Sequence, residues 1–265
     1  MPVLGYGTYE LDGKEAYEGV LSALEAGYRH IDSAAWYENE REVGRAILDF
    51  CERTDMPREA IFYTTKLKQN NGYANVKKAI QRSLDACRLG YIDLYLIHGP
   101  LGGPEARKES WRAICDFQAE SGGLIRSIGI STFGIRHMKD ILELPLPKPT
   151  VHQIDLHPFM GRSEIVAFTK EHDMVLEAWA PLVRGYRFTH PTLVALEKKH
   201  RKKPAQILIR YSLQKGYVPL PKSAAKSRII SNSQVFDFSL SPDEISSLDQ
   251  LDEGLVTDWD PTDCA

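Results

Sequence analysis

Eight short strand-like segments recur along this chain of 265 residues, and their spacing restricts the fold more than any other feature. Each interval between them, about 24 to 41 residues, has room for one strand and one helix. The alternation predicts a parallel sheet covered by helices. We place the segment ends at Gly7, Asp32, Lys66, His98, Ser131, Asp155, Trp179 and Leu220.

Segments with helical periodicity lie between most of the predicted strands. In residues 14–27, apolar side chains such as Leu21 and Leu24 recur every three or four positions, and Gly27 is typical of a helix end. Residues 74–87 and 204–216 show the same pattern. The longest interval, between the last two strands, predicts an additional element.

An open doubly wound sheet is the alternative to a closed barrel. A doubly wound sheet that binds a dinucleotide carries G-x-G-x-x-G after its first strand. The corresponding segment here, GYGTYE, lacks the third glycine. The sequence therefore favours an α/β fold of the (β/α)8 TIM barrel type, with residues 1–265 as a single domain. In such a barrel the active site lies at the C-terminal mouth.

Composition and charge argue against several functions. Hydrophobic residues make up 43% of the chain, charged residues 26%, and the net charge is −3. No overall field would recruit nucleic acid or an anionic membrane, and the basic run 198–204 is too short to neutralise many phosphates. No leader-like or membrane-spanning apolar run is present, which predicts a cytoplasmic protein. The cysteines lack ligand spacing, so we expect no metal.

Four side chains near the predicted strand ends form a candidate proton-delivery site. Asp32, Lys66 and His98 end three successive strands, and Tyr37 follows the first of these strands closely. A phenol has a pKa of about 10, and a nearby ammonium favours the phenolate. We therefore expect Lys66 to lower the pKa of Tyr37. Asp32 would hold the lysine, and His98 would position a substrate oxygen. This set suits the reduction of a carbonyl group.

Each of these four residues also has a structural explanation when taken alone. Asp32 could cap a helix, and Tyr37 could be an exposed aromatic in a loop. Lys66 could be solvated, and His98 could be a core histidine with satisfied hydrogen bonds. Their joint placement at one barrel mouth favours the catalytic interpretation.

The motifs around these residues resemble those of the aldo-keto reductases. GYRHIDSAAWYENEREVG, which carries Asp32 and Tyr37, is similar to the first signature of that family. TTKL and LYLIH match the segments that supply its lysine and histidine, and the resemblance continues through IRSIGISTF, HQIDLHP, EAWAPL and VPLPKSAAKSRIISN. The resemblance implies a monomeric, NADPH-dependent oxidoreductase that converts a small-molecule aldehyde or ketone into an alcohol. Tyr37 would be the proton donor.

The resemblance also implies a set of cofactor-binding residues. Ser131 and Gln153 would hold the nicotinamide carboxamide, and Trp179 would stack on the nicotinamide ring. The adenosine phosphate end would be bound by Lys222, Ser223, Arg228 and Asn232. Gly7, Thr8 and Leu182 would also lie along the cofactor. The two basic residues suit a 2′-phosphate, which favours NADPH over NADH.

We expect Tyr9, Trp36, Gly99 and Trp111 to line the substrate pocket. In the family, a tryptophan commonly follows the histidine of the LIH segment and forms one wall of the pocket. Gly99 follows that histidine here. The difference predicts a wider mouth that accepts bulky aldehydes and ketones.

A regulatory or sensor protein is the alternative function. Some relatives bind the nicotinamide cofactor and a protein partner instead of turning over a substrate. The complete set of four candidate catalytic residues argues against this alternative. Turnover of an aldehyde with NADPH would distinguish the two functions.

Overall fold

The predicted parallel sheet is present and contains all eight predicted strands. The computed structural model describes residues 1–265. The strands follow one another in the sheet in sequence order, and every neighbouring pair is parallel. They are β1 (Tyr6–Gly7), β2 (His30–Asp32), β3 (Phe62–Leu67), β4 (Ile92–Ile97), β5 (Ile125–Ser131), β6 (Val151–Asp155), β7 (Val175–Trp179) and β8 (Val218–Pro219).

Helices alternate with these strands, as the periodicity predicts. They are α1 (Gly13–Glu25), α2 (Glu40–Thr54), α3 (Tyr73–Cys87), α4 (Pro104–Glu120), α5 (Ile135–Leu142), α6 (Ser163–Glu171), α7 (Pro191–His200), α8 (Pro204–Gln214), α9 (Lys226–Ser233) and α10 (Pro242–Asp249). Both α7 and α8 lie between β7 and β8, so the additional element predicted for the longest interval is confirmed.

Two backbone hydrogen bonds join the segments that contain the first and last strands, residues 5–7 and 218–221. The amide of Gly5 donates to the carbonyl of Pro219 at 3.0 Å, and the amide of Gly7 donates to the carbonyl of Pro221 at 3.1 Å. The sheet therefore closes on itself, and the predicted (β/α)8 barrel is confirmed. A Cβ on Gly7 would lie 3.1 Å from the carbonyl oxygen of Leu220, so the missing side chain permits a close approach here.

The apolar faces of the helices cover the outside of the barrel. Ile47 of α2, Ile80 of α3 and Ile114 of α4 are fully buried and belong to one continuous apolar cluster. Gly44 of α2 packs so closely on the end of α3 that a Cβ there would overlap the carbonyl of Cys87. No helix combines the length and apolar character needed to cross a membrane.

Residues 250–265, which we call the C-terminal segment, follow α10 and return to the barrel mouth. Arg162, in the loop before α6, lies 3.1 Å from Asp260 of this segment. Arg107 of α4 donates to the carbonyl of Ala265 at 2.9 Å. The segment is therefore attached to two separate helical regions around the mouth.

Candidate active site

A buried ion pair lies where β2 and β3 reach the mouth of the barrel. Lys66 Nζ donates to Asp32 Oδ1 at 2.6 Å and to the carbonyl oxygen of Ser33 at 2.8 Å. Burial by itself would lower the pKa of Lys66, but the attraction of Asp32 and Tyr37 outweighs burial and raises the pKa above its ordinary value. Lys66 is therefore held as an ammonium inside the barrel.

Tyr37 is brought to this ion pair by a single turn of 3₁₀ helix, Ala35–Tyr37, directly after β2. Its Oη accepts the third hydrogen bond of Lys66 Nζ, at 3.2 Å. As expected, the ammonium of Lys66 acts to lower the pKa of Tyr37, but its effect is not the largest one. Burial outweighs Lys66 and raises the pKa to about 12. The phenol therefore keeps its proton at neutral pH.

His98 directly follows β4 and faces Tyr37 across the mouth. The centroids of the two rings are 5.5 Å apart, and the ring of Trp36 lies 5.6 Å from that of His98. Burial, assisted by the positive charge of Lys66, lowers the pKa of His98 well below its ordinary value. The imidazole is therefore neutral at pH 7 and can donate one hydrogen bond without carrying an extra proton.

A glutamine and a second carboxyl group extend the cluster into the barrel interior. Gln153 Nε2 donates to Asp32 Oδ2 at 2.9 Å and to Glu177 Oε2 at 2.7 Å. Gln153 Oε1 accepts no hydrogen bond from the protein, so it is a free acceptor at the edge of the cleft. Burial raises the pKa of Glu177 to about 8. Glu177 is not among the residues predicted for the site, although the carboxyl group inside the predicted strand LEAW was the available signal.

The catalytic candidates open into a cleft of about 920 Å³. Asp32, Tyr37 and His98 line it, and Lys66 lies just beneath them. Nine of the ten predicted cofactor residues line the same cleft: Gly7, Ser131, Gln153, Trp179, Leu182, Lys222, Ser223, Arg228 and Asn232. The four catalytic candidates and these residues therefore share one cavity.

Two cations in the cleft, Lys222 and Arg228, form no ion pair with a carboxylate. Arg228 Nε donates to Ser223 Oγ at 3.1 Å, which holds the arginine beside the start of α9. The guanidinium is otherwise available. Two unpaired cations near a helix N-terminus suit a phosphate group.

Arg184 is a further cleft residue that the sequence analysis missed. Its Nη2 lies 2.8 and 3.0 Å from the carboxylate oxygens of Glu10, and its Nη1 lies 3.5 Å from Asp258 Oδ2. All three side chains line the cleft. Arg184 therefore connects the loops after β7 and β1 with the C-terminal segment. Its partners are far apart in the chain, so no local pattern indicates this contact.

Trp111 and Thr8 are predicted site residues that are fully buried away from the cleft. Trp111 is fully buried on α4, where its Nε1 donates to the carbonyl of Pro147 at 3.0 Å. The prediction that Trp111 lines the substrate pocket is therefore wrong. Thr8 is also fully buried, and its hydroxyl donates to the carbonyl of Asp32 at 2.9 Å. Thr8 supports the end of β2 and does not face the cleft.

The space beside Gly99 is filled, so the prediction of a wider mouth is wrong. A Cβ on Gly99 would overlap Cη2 of Trp259 and lie 3.2 Å from its Cζ3. Tyr9 and Trp36 line the cleft, whereas Gly99 lines a neighbouring cavity of about 240 Å³. No local pattern in the sequence indicates that a tryptophan from the C-terminal segment packs against this glycine.

A family model and similar known proteins assign this chain to the same family. Residues 3–253 match the family model described as "Aldo/keto reductase family". An uncharacterized oxidoreductase of Schizosaccharomyces pombe is 43% identical to this chain, over 98% of this chain and 93% of its own length. The methylglyoxal reductase of Escherichia coli is 38% identical, over 98% of this chain and 93% of its own length.

A solved structure agrees with these sequence matches. It is the crystal structure of an aldo-keto reductase enzyme from a deep-sea metagenome library. It superposes on this chain with a TM-score of 0.91 at 36% identity, over 98% of this chain and 94% of that one.

Proposed function

This chain belongs to the aldo/keto reductase family, and from that premise we propose that it reduces aldehydes or ketones to alcohols with NADPH, using Tyr37 as the proton donor. Its relatives are oxidoreductases, which supports the reaction class. One contact carries the assignment of Tyr37. Lys66 Nζ, already bound to Asp32, donates its remaining hydrogen bond to Tyr37 Oη at 3.2 Å.

The four side chains have separate tasks in this reaction. A reduced nicotinamide bound in the cleft would supply the hydride for the carbonyl carbon. Neutral His98 donates a hydrogen bond that holds the carbonyl oxygen, and Tyr37 gives that oxygen its proton. Lys66 stabilises the phenolate that remains, and Asp32 keeps Lys66 charged. Because burial raises the pKa of Tyr37 to about 12, the phenol is protonated at neutral pH, and this is the form that a proton donor needs.

The cleft has suitable groups for a nicotinamide dinucleotide. Gln153 Oε1 is a free acceptor for the carboxamide, and the half-buried ring of Trp179 would stack on the nicotinamide. Lys222 and Arg228 would bind the 2′-phosphate, because neither side chain forms an ion pair within the protein and a phosphate would supply the negative charge. These features support NADPH over NADH. We also infer that residues 1–265 act as one domain and as a monomer.

The direct test is turnover of methylglyoxal, the substrate named for the relative from Escherichia coli, with NADPH or NADH. We expect the absorbance of the reduced nicotinamide to fall faster with NADPH. Binding of NADPH without turnover of methylglyoxal or any other aldehyde would support a sensor or regulatory protein instead.

Cofactor preference is tested by Arg228→Ala. A charge-assisted hydrogen bond contributes about 1.5–3 kcal/mol, so the KM for NADPH should rise about tenfold or more while the KM for NADH changes little. Lys226→Ala is the matched control, because Lys226 pairs with Glu25 at 2.8 Å on the surface. Equal effects of Arg228→Ala on the two cofactors would refute the 2′-phosphate assignment.

A further inference from the structure

Trp259 separates two cavities beside the catalytic cluster. The first is the cleft described above, and the second is the cavity of about 240 Å³ next to Gly99, which we call the side cavity. Trp259, Trp36 and His98 line both of them. The ring of Trp259 lies 6.0 Å from that of Trp36 and 6.4 Å from that of His98, measured between centroids. The three rings therefore form a partition.

The indole of Trp259 occupies its place because residue 99 has no side chain. A Cβ on Gly99 would overlap Cη2 of Trp259 and would lie within 3.3 Å of Cζ2 and Cζ3. Any larger residue at position 99 would therefore displace the indole. The partition depends on two residues that are distant in sequence, a tryptophan at position 259 and a glycine at position 99.

Ion pairs hold the main chain on both sides of Trp259. Asp258 lies 3.5 Å from Arg184, and Asp260 lies 3.1 Å from Arg162. Arg162 is itself fixed by buried Asp155 at 2.7 Å. The position of the indole is therefore fixed, because the residues before and after it are attached to different loops of the barrel.

We propose that Trp259 determines substrate specificity by closing the cleft against the side cavity, so that the enzyme prefers small aldehydes and 2-oxoaldehydes to those with large aryl groups. The inference deepens the proposed function and rests on it. Without the indole, the side cavity would join the cleft directly beside His98. A large substituent could then extend into it past Gly99, toward the polar side chains of Gln69 and Asn70.

The first test is Trp259→Ala, with kcat/KM measured for methylglyoxal and for biphenyl-4-carbaldehyde. We expect the ratio of the bulky to the small substrate to rise tenfold or more, since even one methylene in a pocket changes discrimination by about 10–200-fold. Trp259→Phe should give an intermediate ratio. Val256→Ala is the matched control, because Val256 belongs to the same segment but is 44% exposed and lines neither cavity.

The second test moves the indole to the other position. In Trp259→Ala, adding Gly99→Trp places an indole in the same space from the opposite side, because the Cβ of residue 99 points at the ring of Trp259. We expect the wild-type ratio to return to within about threefold. If the double variant fails to bind NADPH, the two single substitutions at position 259 decide the question alone.

The results separate this inference from the proposed function. An unchanged ratio in Trp259→Ala, or a double variant that binds NADPH and keeps the raised ratio, would overturn the role of Trp259. Failure of the wild type to reduce any aldehyde would overturn the proposed function. In that event, calorimetric binding of the unreactive analogue biphenyl-4-carboxamide still tests the role of Trp259. If Trp259→Ala binds the analogue ten times more tightly than the wild type does, the role of Trp259 as a barrier is supported. Equal affinity of the two proteins would refute that role.

Discussion

Replacing Tyr37 with phenylalanine tests the proposed proton donor most directly. The substitution removes one hydroxyl and keeps the ring that packs against His98 at 5.5 Å. Neutral His98 has no extra proton to give, because burial lowers its pKa well below the ordinary value. If the mechanism is right, His98 cannot replace the phenol as the acid.

The contacts of Lys66 set the expected size of the effect. Its hydrogen bond to Tyr37, at 3.2 Å, is longer than those to Asp32 and to the Ser33 carbonyl, at 2.6 and 2.8 Å. The ammonium therefore stays in place without the phenol, and the free energy of unfolding should fall by no more than about 1.5 kcal/mol. General acid catalysis contributes about 10²–10⁴-fold, so kcat should fall by that factor, or about 3–5 kcal/mol in the barrier.

Steady-state turnover and cofactor binding should be measured together. Quenching of protein fluorescence by NADPH reports binding, because Trp179 lines the cleft. Tyr9→Phe is the matched control, since the ring of Tyr9 packs on that of Tyr37 at 5.2 Å but no hydrogen bond joins it to Lys66. Its kcat should stay within about threefold of wild type. A Tyr37→Phe protein that binds NADPH and loses less than tenfold in kcat would refute the role of Tyr37.

Three further predictions concern stability, measured by urea unfolding. Because burial raises the pKa of Glu177 to about 8, the folded protein keeps a proton there that the unfolded chain loses above about pH 4–5. Stability should therefore fall between about pH 5 and 8, and Glu177→Gln should remove up to about 1.4 kcal/mol per pH unit of that slope; parallel pH profiles would contradict this. Gly44→Ala should destabilise by about 1–3 kcal/mol, despite its gain in helix propensity, because its Cβ would overlap Cys87; a gain in stability would refute the close contact. Asn39→Ala should cost about 2–4 kcal/mol, because buried Asn39 donates to two loop carbonyls, at 2.9 and 2.7 Å, and a change below about 0.5 kcal/mol would show that neither bond matters.

The fold could be predicted because each strand and helix leaves a local signal. The strands were recognisable from apolar runs of a few residues, and their regular spacing implied crossover helices. The weakest strands, β1 and β8, have only two residues each. They were recognised from the segments LGYGT and YVPLP, which are longer than the strands themselves. Closure of the barrel depends on hydrogen bonds between segments more than 200 residues apart, so the sequence could only indicate it by analogy with known folds.

The catalytic candidates could be predicted for a related reason. Parallel strands deliver their C-terminal ends to one mouth, so the order of strands along the chain already places Asp32, Lys66 and His98 side by side. Their ionisation states could not be predicted in the same way. The pKa of Tyr37 depends on how far burial outweighs one ammonium, and that balance requires the three-dimensional packing around the ring.

The pocket wall was predicted worst, because it is built from segments whose contact no local pattern specifies. Compared with the family pattern at this one position, Gly99 suggested empty space in the pocket. In the structure, Trp259 packs into that space because Gly99 has no side chain. The volume of a pocket is a property of all the segments that reach it, and loss of a side chain on one strand end is compensated when another segment brings one. The C-terminal segment does so here, held by Asp258 and Asp260 on either side of the indole. A substitution at position 99 should therefore be interpreted together with position 259, and their effects on substrate preference should not be additive.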